Sequence, residues 1–180
     1  MNKGFTLIEL LVTIGVTVII SSLVLANFPD FSRRLELSRT AQAIALSFRE
    51  AEGAALGVRE FDGIFPAYGL HCGSLPAKSY FLFANLNKDG VYDKFNDPQV
   101  DEFEISGLSE IFDLCGRQIG ALLIECGLGE LDVVFVRPAP KVFIKSGVFD
   151  FEYAEIKIRL PATDEQKKIA IWSTGQLSIE

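Results

Sequence analysis

Gly4-Phe5-Thr6-Leu7-Ile8-Glu9-Leu10-Leu11-Val12 begins an apolar run that continues to Ala26, broken by hydroxyl residues, Gly15 and a single charge, Glu9. Twenty helical residues at about 1.5 Å rise span roughly 30 Å, the thickness of a bilayer core. The hydroxyls of Thr6, Thr13, Thr17, Ser21 and Ser22 can bond back to helix carbonyls, so they are compatible with burial in hydrocarbon. The run therefore predicts a membrane-spanning helix over residues 5–28. An ordinary secretory signal would place a small-residue cleavage site after a shorter apolar stretch. Here the small residue, Gly4, precedes the stretch, so a cut after Gly4 would release residues 1–4 as a leader and keep the helix.

Glu9 is the departure that needs an explanation. A carboxylate inside hydrocarbon costs several kcal/mol unless it finds a partner or a proton. Once Lys3 is removed, no lysine or arginine lies within a helical turn or two of Glu9. The cation that remains is the α-amino group exposed at Phe5, either that of the same helix or that of a neighbouring subunit.

These residues resemble the prepilin-type N-terminal motif of type IV pilins and type II secretion pseudopilins. The resemblance implies cleavage between Gly4 and Phe5 by a membrane-embedded prepilin peptidase and N-methylation of Phe5. It also implies pairing of Glu9 with the N-terminal amine of a neighbouring subunit during assembly. The implied setting is the cytoplasmic membrane, crossed once with the N-terminus cytoplasmic and the body outside, followed by entry into a filament through an assembly platform. Lysine and arginine counting alone, with Arg33 and Arg34 after the helix and Lys3 before it, would favour the opposite orientation. The charge difference is small, and the motif sets the expectation. The resemblance does not separate a minor pilin of a type IV pilus from a pseudopilin of a type II secretion system.

Beyond the span, Asn27-Phe28-Pro29-Asp30 predicts a kink or brief break, because Pro29 removes a helix donor. Leu37, Ala41, Ile44, Ala45, Phe48, Ala51 and Ala55 then recur at spacings of three and four. That is one apolar stripe of an amphipathic helix, assigned to residues 29–58. The stretch Leu37-Ser38-Arg39-Thr40-Ala41-Gln42-Ala43-Ile44 is similar to the helix of the GspH/FimT-like minor group.

Residues 59–180 read as a β-rich globular body. Strand-like runs occur at 79–84, 131–136 (stopped by Pro138 and Pro140), 142–144, 155–160, 168–172 and 176–179. In Glu155-Ile156-Lys157-Ile158-Arg159-Leu160 charged and aliphatic residues alternate, as for a strand with one wet face. Ser173-Thr174-Gly175 signals a hairpin. The expected fold is α+β and pilin-like: a long N-terminal helix packed on an antiparallel sheet.

The 180 residues carry a net charge of −7, with 49% hydrophobic and 23% charged residues. An acidic chain whose basic cluster is Arg33, Arg34 and Arg39, diluted by Asp30 and Glu36, offers no evident nucleic-acid face. Of the three cysteines, Cys115 and Cys126 are near in sequence with Gly116, Gly120 and Gly127 between or beside them, which favours that pair for a disulfide and leaves Cys72.

One loop has ligand spacing. Asn85-Leu86-Asn87-Lys88-Asp89-Gly90-Val91-Tyr92-Asp93 puts oxygen side chains at positions one, three and five, glycine at six, a carbonyl at seven (Val91) and an acid at nine. This is the first half of an EF-hand-type Ca2+ loop. Position twelve is Asn96 rather than glutamate, and Asp97, Asp101 or Glu102 could take its place. A solvated turn rich in asparagine and aspartate has the same sequence, so both readings stand. No cofactor is otherwise required.

No nucleophile–base pair argues for an enzyme. His71, the sole histidine, sits beside Cys72, but neighbours on a strand face opposite ways. Gly127-Leu128-Gly129 lacks the rest of a nucleotide fingerprint, and the pairs Asp101/Glu102 and Asp164/Glu165 read as solvated surface. The expected function is thus a structural subunit whose partners are like subunits, the peptidase, the assembly platform and the bilayer. The alternative is a membrane-anchored Ca2+- or ligand-binding module that does not polymerise; Glu9 discriminates the two.

Overall fold

The computed structural model describes residues 5–137, 141–161, 163 and 165–180, and for 26–30 the backbone alone. The leader, including Gly4, and the strand stops Pro138 and Pro140 lie outside the described residues, as does Asp164. The chain divides into two compact units, Met1–Leu35 and Glu36–Glu180.

Helix α1 runs over Leu7–Leu56. The expected break at 27–30 is absent: the helical backbone continues through Pro29. A proline costs a helix one donor and a local clash, but its fixed φ is itself close to helical. Within the first unit, the side chains from Phe5 to Leu25 are all exposed. The apolar span is Leu7–Leu25, 19 residues with a mean hydropathy of 2.4.

In the second unit α1 is amphipathic. Leu37, Ala41, Ile44, Phe48, Ala51 and Ala55 are buried, and Arg39, Gln42, Arg49 and Glu50 are exposed. The small alanines let the helix backbone approach the sheet, while Phe48 fills the space between. A polar link crosses this contact where Ser47 Oγ lies 3.0 Å from the Tyr80 hydroxyl.

The body is an antiparallel sheet of ten strands: β1 (Ala67–Gly73), β2 (Ser79–Asn85), β3 (Gln99–Glu104), β4 (Glu110–Gln118), β5 (Glu125–Cys126), β6 (Glu130–Val136), β7 (Lys141–Ser146), β8 (Phe149–Arg159), β9 (Gln166–Trp172) and β10 (Leu177–Ile179). The main path is β10-β9-β8-β7-β6-β1-β2-β3, with β4 paired to β8 and β5. Strand β8 is the pivot. Its start, Phe149–Phe151, pairs with β7, and from Phe151 to Arg159 it pairs with β4. The fold is α+β and pilin-like, as the sequence implied.

The sheet has a second, smaller core on the face away from α1. Ala67, Phe83 and Val134 are buried there, with Phe81, Tyr92, Val136 and Phe143 packed against them. The 86–98 loop forms this cover. In β1, Gly69 permits the close approach of its neighbours: a Cβ there would lie 2.6 Å from Val134 Cγ2 and 2.8 Å from the Val133 carbonyl oxygen.

Strand β8 departs from the expected wet face. Glu155 is 5% exposed, not solvated. Its carboxylate accepts from the Tyr153 hydroxyl at 2.5 Å and from Lys168 Nζ at 3.2 Å, so the charge is paired across the β8–β9 register. Trp172 packs at a tilt against Tyr153, with ring centroids 4.9 Å apart.

Candidate functional site

Two regions carry the chemistry singled out in the sequence: the start of α1 and the loop between β2 and β3. At the first, Thr6 and Glu9 form a reciprocal cap. Glu9 Oε2 accepts from the Thr6 backbone N–H at 2.9 Å and from Thr6 Oγ1 at 2.8 Å, while the Glu9 N–H donates to Thr6 Oγ1 at 3.3 Å. This is a capping box, Thr-x-x-Glu, which satisfies helix donors that have no partner within the helix. The Thr-x-x-Glu pattern of Thr6-Leu7-Ile8-Glu9 is its sequence signal.

The cap positions Glu9 beside the residue that would follow a cut after Gly4. Phe5 itself is 84% exposed. Further along, Thr13 Oγ1 donates to the Leu10 carbonyl at 2.9 Å, Thr17 Oγ1 donates to the Thr13 carbonyl and Ser22 Oγ to the Ile19 carbonyl at 2.8 Å. Each hydroxyl is thereby satisfied without solvent, as a span in lipid requires. What this end can do is insert, anchor and pack.

At the second region the structure brings four oxygens onto one buried amide. Asn85 is fully buried, at the end of β2. Its Nδ2 lies 3.0 Å from Asn87 Oδ1, 3.2 Å from Asp89 Oδ1, 3.0 Å from the Val91 carbonyl and 3.1 Å from Asp97 Oδ2. Its Oδ1 accepts the Gly90 N–H at 3.1 Å. Gly90 has φ of +85°, and a Cβ on it would meet Phe143 at 2.9 Å, so the turn and its seat on the sheet both favour glycine here.

Asp93, at the ninth position, does not join that group. Its carboxylate accepts from the Phe95 N–H at 2.9 Å and from Asn96 Nδ2. Asp97 stands in its place, 3% exposed, accepting the Leu86 N–H at 2.9 Å and the Asp93 N–H at 3.0 Å. Asp101 and Glu102 are exposed on β3. The Asp89 carboxyl is held below the usual aspartate range. Partial burial opposes this, but the Val91 N–H, the amides of Asn85 and Asn87 and the Lys145 ammonium prevail.

The loop is fastened to the sheet by residues the sequence did not connect. Asp132, 1% exposed in β6, lies 2.7 Å from His71 Nδ1 through Oδ1 and accepts the Tyr92 N–H at 3.2 Å through Oδ2. The His71 ring stacks on Phe81 at 4.8 Å and contacts Tyr92 at 4.9 Å. Cys72 points the other way into the main core, where burial pushes its thiol up to about 12. Nothing in sequence spacing links His71 to Asp132; the β1–β6 register places them opposite one another.

Cys115 and Cys126 are joined in a disulfide between directly paired residues of β4 and β5. Lys157 Nζ, 3.0 Å from Asp113 Oδ2, lies 3.4 Å from Cys126 Sγ. The segment the disulfide closes exposes Ile119, Leu122 and Leu123. Residues 127–129 form a loop with no ligand-like convergence among the described residues.

Comparison with known proteins bears on the first region. Residues 1–25 match the family model described as the prokaryotic N-terminal methylation motif. No curated protein and no solved structure matches the chain. The motif marks the chain for prepilin peptidase and for assembly with other pilins, and with the apolar helix behind it argues for membrane anchoring through the N-terminus. Its first 25 residues are thus similar to the prepilin-type methylation motif, and an α+β pilin-like arrangement follows them.

Proposed function

We propose that this chain is a non-catalytic structural subunit, a minor pilin or pseudopilin, of a type IV pilus or type II secretion filament. The observation that carries the reading is the methylation motif at residues 1–25 running directly into an exposed 19-residue apolar helix. Such a surface is stable in a bilayer or against like helices, and nowhere in water.

In this reading the peptidase cuts between Gly4 and Phe5 and methylates the new amine. The chain waits in the cytoplasmic membrane with its body outside, then moves into the filament through the assembly platform. Burial of the span against neighbouring spans offsets extraction from lipid. Glu9, capped by Thr6 in the single chain, exchanges that local contact for a neighbour's N-terminal amine. The exchange replaces neutral donors with a cation in a dry setting, where the attraction between opposite charges is stronger than in water.

Mass spectrometry of the mature N-terminus in a strain with prepilin peptidase tests this. The expected species begins at methylated Phe5; a chain that retains Met1 through Gly4 overturns the reading.

A further inference from the structure

We propose that the disulfide-closed loop over residues 119–124 of one copy docks in the groove between α1 and β10 of a second copy of this chain. The contact involves the body alone and is separate from the entry of residues 5–25 into a filament.

The groove joins an apolar wall to an open strand edge. Ala45 and Leu46 of α1 and Leu177 and Ile179 of β10 line a cavity of about 530 Å3, with Gln42 and Arg49 also on its rim. Leu46 is 68% exposed. Strand β10 ends the main path of the sheet and pairs on one side, with β9. Lys168 and Glu180 exchange both backbone hydrogen bonds, at 3.0 and 2.9 Å, and the Trp172 N–H donates to the Gln176 carbonyl at 3.0 Å. Alternation along an antiparallel pair then turns the N–H and C=O of Leu177 and Ile179 away from β9, to the open side. An apolar wall beside unpaired strand groups is a surface that accepts an added extended segment.

The same chain carries a segment of matching chemistry. Ile119-Gly120-Ala121-Leu122-Leu123-Ile124 holds no charge and lies outside every strand. Leu122 is 96% exposed and Leu123 79%. The Cys115–Cys126 disulfide closes the segment, so it has less conformational freedom to lose on docking than an open loop would. The loop does not line the groove of its own chain.

Charge complementarity favours this occupant. A chain with a net charge of −7 repels its copies overall, and the groove is a local exception. Arg39, Gln42, Leu46 and Arg49 fall on one line of the helix at spacings of three and four, so an exposed arginine stands at each end of the apolar wall. The loop leads directly into Glu125, exposed on β5. An apolar run with an acidic flank thus meets an apolar groove with basic ends. Loop and groove are different patches, so the contact is heterologous and propagates head to tail. A six-residue loop covers less than the roughly 800 Å2 per partner of a standard interface, so the contact acts where chains are already concentrated, as in one membrane.

Cysteine cross-linking tests this in the full chain. Cys72 is buried and Cys115 and Cys126 are bonded to each other, so an added cysteine is the accessible thiol. Leu46→Cys and Leu122→Cys chains with different tags are reconstituted together in phosphatidylcholine vesicles and mildly oxidised. The mixed cross-link is expected about tenfold above either same-site cross-link. Adding Leu123→Asp to the Leu122→Cys chain should lower the mixed product about tenfold, with circular dichroism verifying the fold. Equal yields of the three pairings, same-site products alone, or no cross-link each overturn the proposal. So does a mixed product that Leu123→Asp leaves unchanged in a folded chain.

Discussion

Glu9 Oε2 receives both the backbone N–H and the hydroxyl of Thr6, at 2.9 and 2.8 Å, so the one carboxylate in the apolar span is held by its own helix start. The two residues thus separate two roles. Thr6 serves the helix, and in the proposed function Glu9 would serve both helix and assembly. Thr6→Val should cost roughly 1 kcal/mol of helix start and leave filament incorporation detectable. Glu9→Leu should retain cleavage and membrane residence but abolish recovery in sheared filaments or with partner subunits. Immunoblots of membrane and filament fractions read both outcomes; unchanged incorporation of Glu9→Leu would sink the assembly role.

The part-buried pair His71–Asp132 ties the 86–98 loop to β1 and β6 through the Tyr92 N–H. Asp132→Ala strands two polar partners in a nearly dry setting. The expected loss is about 3 kcal/mol in denaturant unfolding. Hydrogen exchange should show faster opening at Tyr92 than at the β8–β9 strands.

A disulfide stabilises chiefly by restricting the unfolded chain. Cys115 and Cys126 are 11 residues apart. A loop of that size predicts a loss of about 3 kcal/mol for Cys126→Ser, comparing oxidised chains. Cys72 should resist alkylation in the folded protein, because it is fully buried and its thiol is pushed up to about 12. Rapid labelling of Cys72 without unfolding would contradict that placement.

Tyr80 supplies a pH prediction. Burial pushes its phenol from the ordinary 10.0 up to about 12, against the opposing bond from Ser47. The folded state therefore holds its proton more tightly than the unfolded chain does. This contribution is complete below pH 10 and disappears as pH rises toward 12. Stability should fall across that interval, and Tyr80→Phe should flatten the fall. Ultraviolet difference titration of phenolate against a melting series checks it.

Phe48 is the largest side chain that the amphipathic part of α1 buries, 1% exposed. Phe48→Ala leaves a cavity between helix and sheet and should cost about 3–5 kcal/mol. The exposed Leu46 on the same helix should tolerate alanine within about 0.5 kcal/mol in thermal melts.

Much of the architecture was readable because its causes are local. The span from Phe5 follows from apolar length, and the stripe from Leu37 to Ala55 from helical period, so six of its seven members lie in the core. Six strand runs were legible from β-branched and aromatic content. Strand β1 carries little strand signal, because Ala67-Tyr68-Gly69-Leu70-His71-Cys72-Gly73 contains two glycines and no β-branched residue. Strand β3, with Asp101, Glu102 and Glu104, is an exposed edge with little apolar signal. Both are strands because neighbours pair with them.

Sequence by itself determined the apolar end: its motif is one contiguous run over residues 1–25, and an apolar helix satisfies its backbone within itself. It also set the spacing of Asn85, Asn87, Asp89 and Val91. Tertiary structure alone decided that Asp97 turns inward while Asp93 turns away, that His71 meets Asp132 across 61 residues, and that Glu155 is buried beside Lys168. Local spacing fixes which groups can converge along one turn. Strand register, which the hydrophobic pairing of distant segments sets, fixes which groups meet across the sheet.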